Sequence, residues 1–290
     1  MSHRFFITDV FGESRYSGNQ LATFFEAGDI SDREMQQIAR EINFSETTFI
    51  LGNEERGGGF DVRIFTPGEE VDFAGHPTLG TAFLIRKHLL GSRAERVVLN
   101  LKVGPIPVDF TGDGLLWMRQ REPEFGSEVA ADEIAGALGL KESDIDRRWP
   151  VQEVSTGLPQ LIVPLKGLDA LRRISISKEG YARIVSGTTA KTVLAFCPEA
   201  YNAEETLSVR VFPIGVGIVE DPATGSGNGC LAAYLVRHRY LGTDAIDIKV
   251  GQGYEIGRPS RLYLWAKEDD GSIRVSVGGK VSEIAEGVWA

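Results

Sequence analysis

One short pattern is written into this chain twice, and the distance between the copies restricts the folds open to it. Val62-Arg63-Ile64-Phe65 leads into a glycine-containing junction and an apolar run, DFAGHPTLGTAFLI, over residues 72–85. Half a chain later Val209-Arg210-Val211-Phe212 leads into EDPATGSGNGCLAAYLVRHRY over residues 220–240, again a glycine junction followed by an apolar run. A fainter echo pairs Gly18-Asn19-Gln20-Leu21 with Gly157-Leu158-Pro159-Gln160-Leu161, in the same order along the chain. Solenoids repeat every ~20–50 residues. A pattern that recurs once, half a chain on, points instead to two similar domains.

Local signals alternate between strand and helix. Arg4 to Val10, Leu21 to Phe25, Thr47 to Leu51 and Phe60 to Phe65 read as strands. Ser31 to Glu41 reads as a helix with Ser31 as N-cap and Glu34 completing a capping-box pattern, ended by Asn43. A second helix signal begins near Thr78, runs through Ala82, Phe83, Leu84, Ile85 and Leu89, and stops at Gly91. Val97 to Val103, Ile106 to Phe110 and Leu115 to Arg119 read as strands. The stretch REPEFGSEVAADEIAGALGL is punctuated by Pro123 and Gly126 and reads as helix from Asp132. The boundary falls near Arg119 to Pro123, giving an N-terminal domain over 1–119 and a C-terminal domain over 120–277. Ile273 to Val277 and Lys280 to Ala285 read as strands, with a C-terminal strand from 278–290 returning to the first domain.

Composition removes several function classes. Hydrophobic residues make up 42% of 290, enough for a real core, and the formal net charge is −10 with no basic stretch of five or more Lys/Arg. A phosphate-neutralising nucleic-acid surface is therefore not expected, and the acidity reads as solubility. Cys197 and Cys230, the two cysteines, make no disulfide framework, and no Cys-x-x-Cys or His-x-x-x-His spacing offers a metal site. No segment approaches the ~18 consecutive apolar residues of a membrane span. The N-terminal residues carry no apolar stretch of signal-peptide length. A cytoplasmic protein with neither membrane nor nucleic-acid partner is the expectation.

A helix start exposes backbone N–H groups without intrahelical partners, and glycines there let an anion approach closely. Gly75 to Gly80 and Thr224 to Gly229 are thus candidate anion holders, Gly75, Gly225 and Gly227 among them. The competing reading is that these glycines allow close helix–strand packing. Gly225-x-Gly227-x-Gly229 is not the dinucleotide fingerprint, and no Gly-Lys-Ser/Thr loop is present. Three ionisable residues adjoin these features: His76 at the first junction, Asp221 at the second, and Glu46 where NFSETTFIL passes into an apolar strand. A carboxyl among apolar neighbours is raised in pKa, which suits a proton shuttle, and an imidazole at a helix start tends toward neutrality. Each has a plain alternative. Glu46 reads as a solvated charge at a strand end, which from the residues alone is the stronger reading. Asp221 reads as a turn residue before Pro222, and His76 as a cap of its own helix. Ser226 is either an orienting hydroxyl or an ordinary first-turn residue; Thr224 two positions before it rules out the Gly-x-Ser-x-Gly nucleophile elbow. His88 and His238 lie late in helices, and Cys230 reads as core packing.

Taken together, SGNQLATFF, NFSETTFI, DFAGHPTLGTAF and EDPATGSGNGCLAAYL, in this order and spacing, resemble the PhzF-like phenazine biosynthesis family over nearly the whole chain. The resemblance implies a diaminopimelate-epimerase-like α+β fold. It has two similar domains, each a curved barrel-like mixed β-sheet around a central helix, with the active site in the cleft between the helix starts. It implies that Glu46 is the principal acid/base, with His76, Asp221 and Ser226 as its polar partners, and that Asn19, Gly75, Gly225 and Gly227 bind substrate. It implies an isomerase that uses no cofactor or metal and moves a proton between carbons of a small carboxylate-bearing metabolite, as a homodimer. Related epimerases and racemases carry a cysteine at each helix start; Ala74 and Thr224 stand at those positions here, so a thiol pair is not expected. The alternatives kept are a non-catalytic binder of an anionic metabolite and another lyase or racemase activity on the same fold.

Overall fold

A computed structural model describes residues 2–213 and 219–290. The chain forms two compact units, one of residues up to Arg119 with Gly278–Ala290, the other Gln120–Val277. The first contains β1 (His3–Val10), β2 (Asn19–Phe24), α1 (Asp32–Ile42), β3 (Glu46–Ile50), β4 (Phe60–Phe65), β5 (Glu70–Val71), α2 (Gly75–His88), β6 (Arg96–Leu101), β7 (Gly104–Phe110) and β8 (Leu116–Arg119). The second contains β9 (Glu124–Val129), α3 (Ala131–Ala137), β10 (Val151–Ser155), β11 (Pro159–Pro164), α4 (Leu168–Arg173), α5 (Lys178–Gly187), β12 (Val193–Cys197), β13 (Leu207–Phe212), α6 (Gly225–Arg237), β14 (Ala245–Gln252) and β15 (Ser260–Asp269). β16 (Ser272–Gly279) follows, and β17 (Val281–Trp289) ends the chain beside β1 in the first unit.

The two units repeat one pairing scheme. In the first, β17–β1 and β1–β2 are antiparallel, β2–β3 parallel, β3–β4 antiparallel, β4–β6 parallel and β6–β7 antiparallel. In the second, β9–β10 and β10–β11 are antiparallel, β11–β12 parallel, β12–β13 antiparallel, β13–β14 parallel and β14–β15 antiparallel. Each sheet is mixed, and each has one helix against its inner face. α2 touches β1, β2, β3, β6, β7, β8 and β17; α6 touches β10, β11, β14 and β15. A helix so enclosed has no polar face to give to water. Every residue from Gly225 to Val236 is accordingly buried. Gly80 of α2 shows how tight the enclosure is: a Cβ there would lie 2.6 Å from Leu21 Cδ2 and 2.9 Å from Val10 Cγ2.

The other sheet face is covered by amphipathic elements. Met35, Ile38 and Ala39 of α1 pack with Ala22, Phe24, Phe49 and Phe65. In the second unit Ile134 and Ile184, from α3 and α5, pack with Leu161, Val163 and Val193. α1 starts where Ser31 accepts a hydrogen bond from the Glu34 N–H and ends where Asn43 turns left-handed, at φ 56°. Two elements differ from the sequence expectation. α2 begins at Gly75, a turn before Thr78, because a proline in the first turn forfeits an N–H that has no intrahelical partner anyway. Residues Glu124–Val129, read as punctuated chain, form β9, which pairs with β10 across an irregular register. Their side chains are largely exposed, so no apolar alternation marks them. Among the described residues no helix is long and apolar enough to cross a membrane.

The repeated Val-Arg-x-Phe pattern has a structural cause. Arg63 on β4 forks onto Glu70, with Nε donating to Oε1 at 2.8 Å and Nη2 to Oε2 at 2.9 Å. Its guanidinium lies over the Phe65 ring at 5.1 Å. Arg210 on β13 forks onto Glu220 in the same way, at 3.0 and 2.6 Å, and lies over Phe212 at 4.9 Å. Each fork ties a strand to the segment that leads into the enclosed helix. The first holds β5, where Ile64 pairs with Val71; the second holds the bridge between Val211 and Asp221. The forks differ in burial, with side chains 23% and 26% exposed for Arg63 and Glu70 but 9% and 6% for Arg210 and Glu220. Removing one partner of a buried pair strands the other. Arg210→Met should therefore lower the unfolding free energy by about 3–5 kcal/mol, and Arg63→Met by about 1 kcal/mol or less. Urea denaturation of both variants checks this, and equal losses would contradict it.

Candidate active site

In the first unit two periodicities converge on the start of α2. Side chains alternate along a strand, so Asn19, Leu21 and Thr23 share one face of β2, and Glu46 and Thr48 share one face of β3. Thr23 and Thr48 hydroxyls meet at 2.8 Å, and Thr81 of α2 donates to Thr48 at 2.8 Å. One turn and a half toward the helix N-terminus, roughly 7 Å along the helix, and two residues back along β3 and four along β2, the same faces bring Asn19, Glu46 and His76 together. Asn19 Nδ2 lies 3.3 Å from His76 Nδ1, and His76 Nε2 lies 3.4 Å from Glu46 Oε2. That second separation is long for a hydrogen bond and falls short of its geometry.

His76 is 4% exposed, and burial drives its pKa from 6.5 down to about 3, against a smaller opposing effect of a backbone hydrogen bond at Gln20. The imidazole is thus neutral near pH 7, and the Glu46 contact is not an ion pair there, although its distance alone would permit one. Gly75 and His76 are the first two residues of α2, and Ala74 is the N-cap, with no side-chain hydrogen bond to the first turn. His76 sits within the helix and does not cap it.

In the second unit Thr224 is the N-cap of α6, and Gly225, Ser226 and Gly227 are its first three residues, all buried. The Thr224 hydroxyl does not cap the helix either; it donates to Asp221 Oδ2 at 2.5 Å. Asp221 is 7% exposed and its backbone N–H is bonded to Val211 O, so it is pinned to β13 at the residue beside Glu220. Both helix starts therefore keep first-turn N–H groups that no cap side chain satisfies, a setting that favours an anion. Ala74 and Thr224, the positions where a thiol pair was not expected, are the two N-caps. Cys197 and Cys230 are buried elsewhere, and burial pushes both thiols up to about 11. His88 binds Glu283 at 2.7 Å and His238 binds Gln152 at 2.8 Å, both as late-helix residues. Among the described residues no group of three His, Cys, Asp or Glu side chains is placed to hold a metal.

The sequence reading missed Gln252, whose buried amide bonds to Asp221, Thr224 and Asn228. The signal was present in the glycines flanking it. A Cβ on Gly251 would overlap Glu205 Oε2, and Gly253, at φ 79°, presses within 2.6 Å of Pro222 O at its Cβ position. The forks of Arg63 and Arg210 were also missed as such, though their strands were read correctly.

The depressed pKa of His76 has a sign. Between pH 6.5 and about 3 the unfolded chain binds a proton that the folded chain refuses. The imidazole therefore removes stability as pH falls through that window, by at most about 1.4 kcal/mol per pH unit. His76→Gln should flatten this part of the acid limb of a urea-stability profile relative to wild type. The His76 ring protons should not titrate between pH 5 and 8 by NMR; a midpoint near the ordinary value would refute the burial argument.

Comparison with known proteins identifies the family. Residues 8–287 match the PhzC-PhzF family model, phenazine biosynthesis-like protein. The trans-2,3-dihydro-3-hydroxyanthranilate isomerase of Pseudomonas aeruginosa is 35% identical over 98% of each chain. The crystal structure of a PhzF-family phenazine biosynthesis protein from Bacillus anthracis superposes with a TM-score of 0.91 at 27% identity, covering 100% of this chain and 99% of the other. A hydroxyproline epimerase from Agrobacterium vitis shares the fold alone, with a TM-score of 0.61 at 10% identity over 100% of this chain and 92% of that one. With a family match across nearly its full length, the chain belongs to the PhzC-PhzF phenazine biosynthesis-like family and is an enzyme of the isomerase class.

Proposed function

We propose that this enzyme moves a proton from one carbon to another of a small carboxylate-bearing metabolite, with trans-2,3-dihydro-3-hydroxyanthranilate, named for its relative, as the first substrate to test. The observation that carries the proposal is Glu46 set 3.4 Å from a buried, neutral His76 that Asn19 anchors from the other side. Glu46 takes the proton from carbon and returns it elsewhere. The reaction balances without any redox partner, because the electron pair left by the proton shifts within the substrate and the Glu46 carboxyl returns a proton to another carbon. A positioned carboxylate of this kind contributes ~10²–10⁴-fold in rate. His76 and Asp221 position or polarise the substrate, or relay the proton. Ser226 and the Gly225 and Gly227 amides hold the carboxylate or the negative charge that develops on it. Asn19 and Gly75 bind the substrate beside Glu46.

Glu46 begins its strand with 17% of its side chain exposed, and glutamine keeps its length and one carbonyl oxygen, so the fold should tolerate the exchange. Glu46→Gln should lower turnover at least ~10²-fold while leaving the melting temperature and ligand binding near wild type. NMR in D₂O, following both product and C–H to C–D exchange, reads it out. Turnover that survives in a folded Glu46→Gln protein would remove Glu46 from the chemistry. A ligand that raises the melting temperature of wild type without product or exchange would turn the site into a binding site.

A further inference from the structure

Gln252 ends β14 and is fully buried, at 0% exposure. Its Nε2 donates to Asp221 O at 2.8 Å and to Thr224 Oγ1 at 3.1 Å. Its Oε1 accepts from Thr224 N–H at 3.2 Å and from Asn228 Nδ2 at 2.8 Å. A primary amide has two donors and an oxygen with two lone pairs, so this side chain is saturated and has one orientation. Two of its four bonds end on Thr224, whose hydroxyl donates onward to Asp221 Oδ2 at 2.5 Å. The result is a directed chain, amide N–H to hydroxyl to carboxylate.

The backbone around Gln252 keeps it there. Gly251 has no room for a Cβ beside Glu205, and Gly253 adopts a left-handed φ of 79° that brings it against Pro222 O and Arg258 O. The strand end therefore abuts the Asp221–Pro222 turn directly.

We propose that Gln252 is a positioning residue for the reaction, acting through Thr224 to orient the Asp221 carboxylate and hold it ionised. A hydroxyl whose oxygen already accepts a hydrogen bond is a stronger donor, and a hydrogen bond to the charged form of a carboxyl favours that form. Gln252 also accepts from the N-cap N–H and from Asn228, a turn along α6, so one amide aligns the carboxylate with the helix start. The inference rests on the proposed part of Asp221 in proton transfer.

The test separates the two claims. Aspartate labelled with ¹³C at the carboxyl, with the Asp221 signal assigned by its loss in Asp221→Asn, gives the Asp221 titration without any substrate. Thr224→Val is nearly isosteric and deletes only the relaying hydroxyl. It should raise the Asp221 midpoint by about one pH unit, Gln252→Met should raise it in the same direction, and Thr224→Ser should restore the wild-type value. With trans-2,3-dihydro-3-hydroxyanthranilate as probe, Thr224→Val should lose about tenfold in kcat with KM changed less than about twofold, the pattern of an interaction made in the transition state. Thr224→Ser should recover kcat. An Asp221 midpoint unmoved in folded Thr224→Val overturns the orientation claim whatever the enzyme turns over. A shifted midpoint with unchanged kcat overturns its role in the reaction. A wild-type protein that converts no probe counts against the proposed activity, and the titration still decides whether Gln252 governs Asp221.

Discussion

The burial of one helix against each sheet, from its first residue to within about a turn of its end, is the constraint on which the other features depend. A helix with no solvent face must be apolar or must find partners for every hydroxyl it carries. α2 meets both demands, with Leu79, Ala82, Leu84 and Ile85 as packing residues, Thr78 bonded to its own Ala74 carbonyl and Thr81 bonded to Thr48. It must also be thin where the strands press in, which is why Gly80 faces Leu21 and Val10. The middle of such a helix cannot hold a charge. Its N-terminus can meet one, because the orphan N–H groups lie there. In each unit the candidate residues accordingly collect at the first turn of the enclosed helix.

The same frame is present twice, and the two copies differ in the residues they carry at the helix start. Both copies keep the arginine on the strand, the glutamate before the helix, and the aromatic ring under the guanidinium. A buried ion pair such as Arg210–Glu220 adds little net stability compared with apolar replacements, whereas losing one partner is costly, and the more exposed Arg63–Glu70 pair adds little either way. Retaining the fork in both units fits a device that sets a position. What it positions differs. The residue bridged to the arginine strand is Val71 in one copy and Asp221 in the other, and the second residue of the enclosed helix is His76 in one and Ser226 in the other. The same scaffold thus presents an imidazole and a strand carboxylate in the first unit, and a carboxylate with a hydroxyl in the second.

Much of this was legible from residues alone, for physical reasons that also mark where legibility ended. Val-Arg-x-Phe recurred because an alternating strand must keep its apolar positions and its arginine in register with the glutamate. Ser31 and Asn43 announced both ends of α1 because caps are local chemistry. The start of α2 was placed a turn late because Gly75, His76 and Pro77 carry no apolar periodicity; their reason for being helical is the enclosure. β9 was missed because its exposed residues bury nothing that would impose alternation. Gln252 was invisible for a different reason. Its partners Asp221, Thr224 and Asn228 come from a different element, and only the folded sheet brings β14 alongside the entrance to α6.

The neutrality of His76 bears on how a proton is handled beside Glu46. An imidazolium at that depth would need a full counter-charge, and burial instead holds the ring uncharged. In the proposed reaction Glu46 gains and loses its proton beside a neutral ring, so no buried ion pair forms in either state. Asn19 holds the far ring nitrogen, which keeps Nε2 directed at Glu46 while the carboxyl changes charge. An acid/base that must both remove and return a proton needs its two protonation states close in free energy. A charged neighbour would favour one state strongly. A buried neutral imidazole biases neither as strongly, and that is a physical reason for a histidine, rather than a lysine or arginine, at the first turn of an enclosed helix.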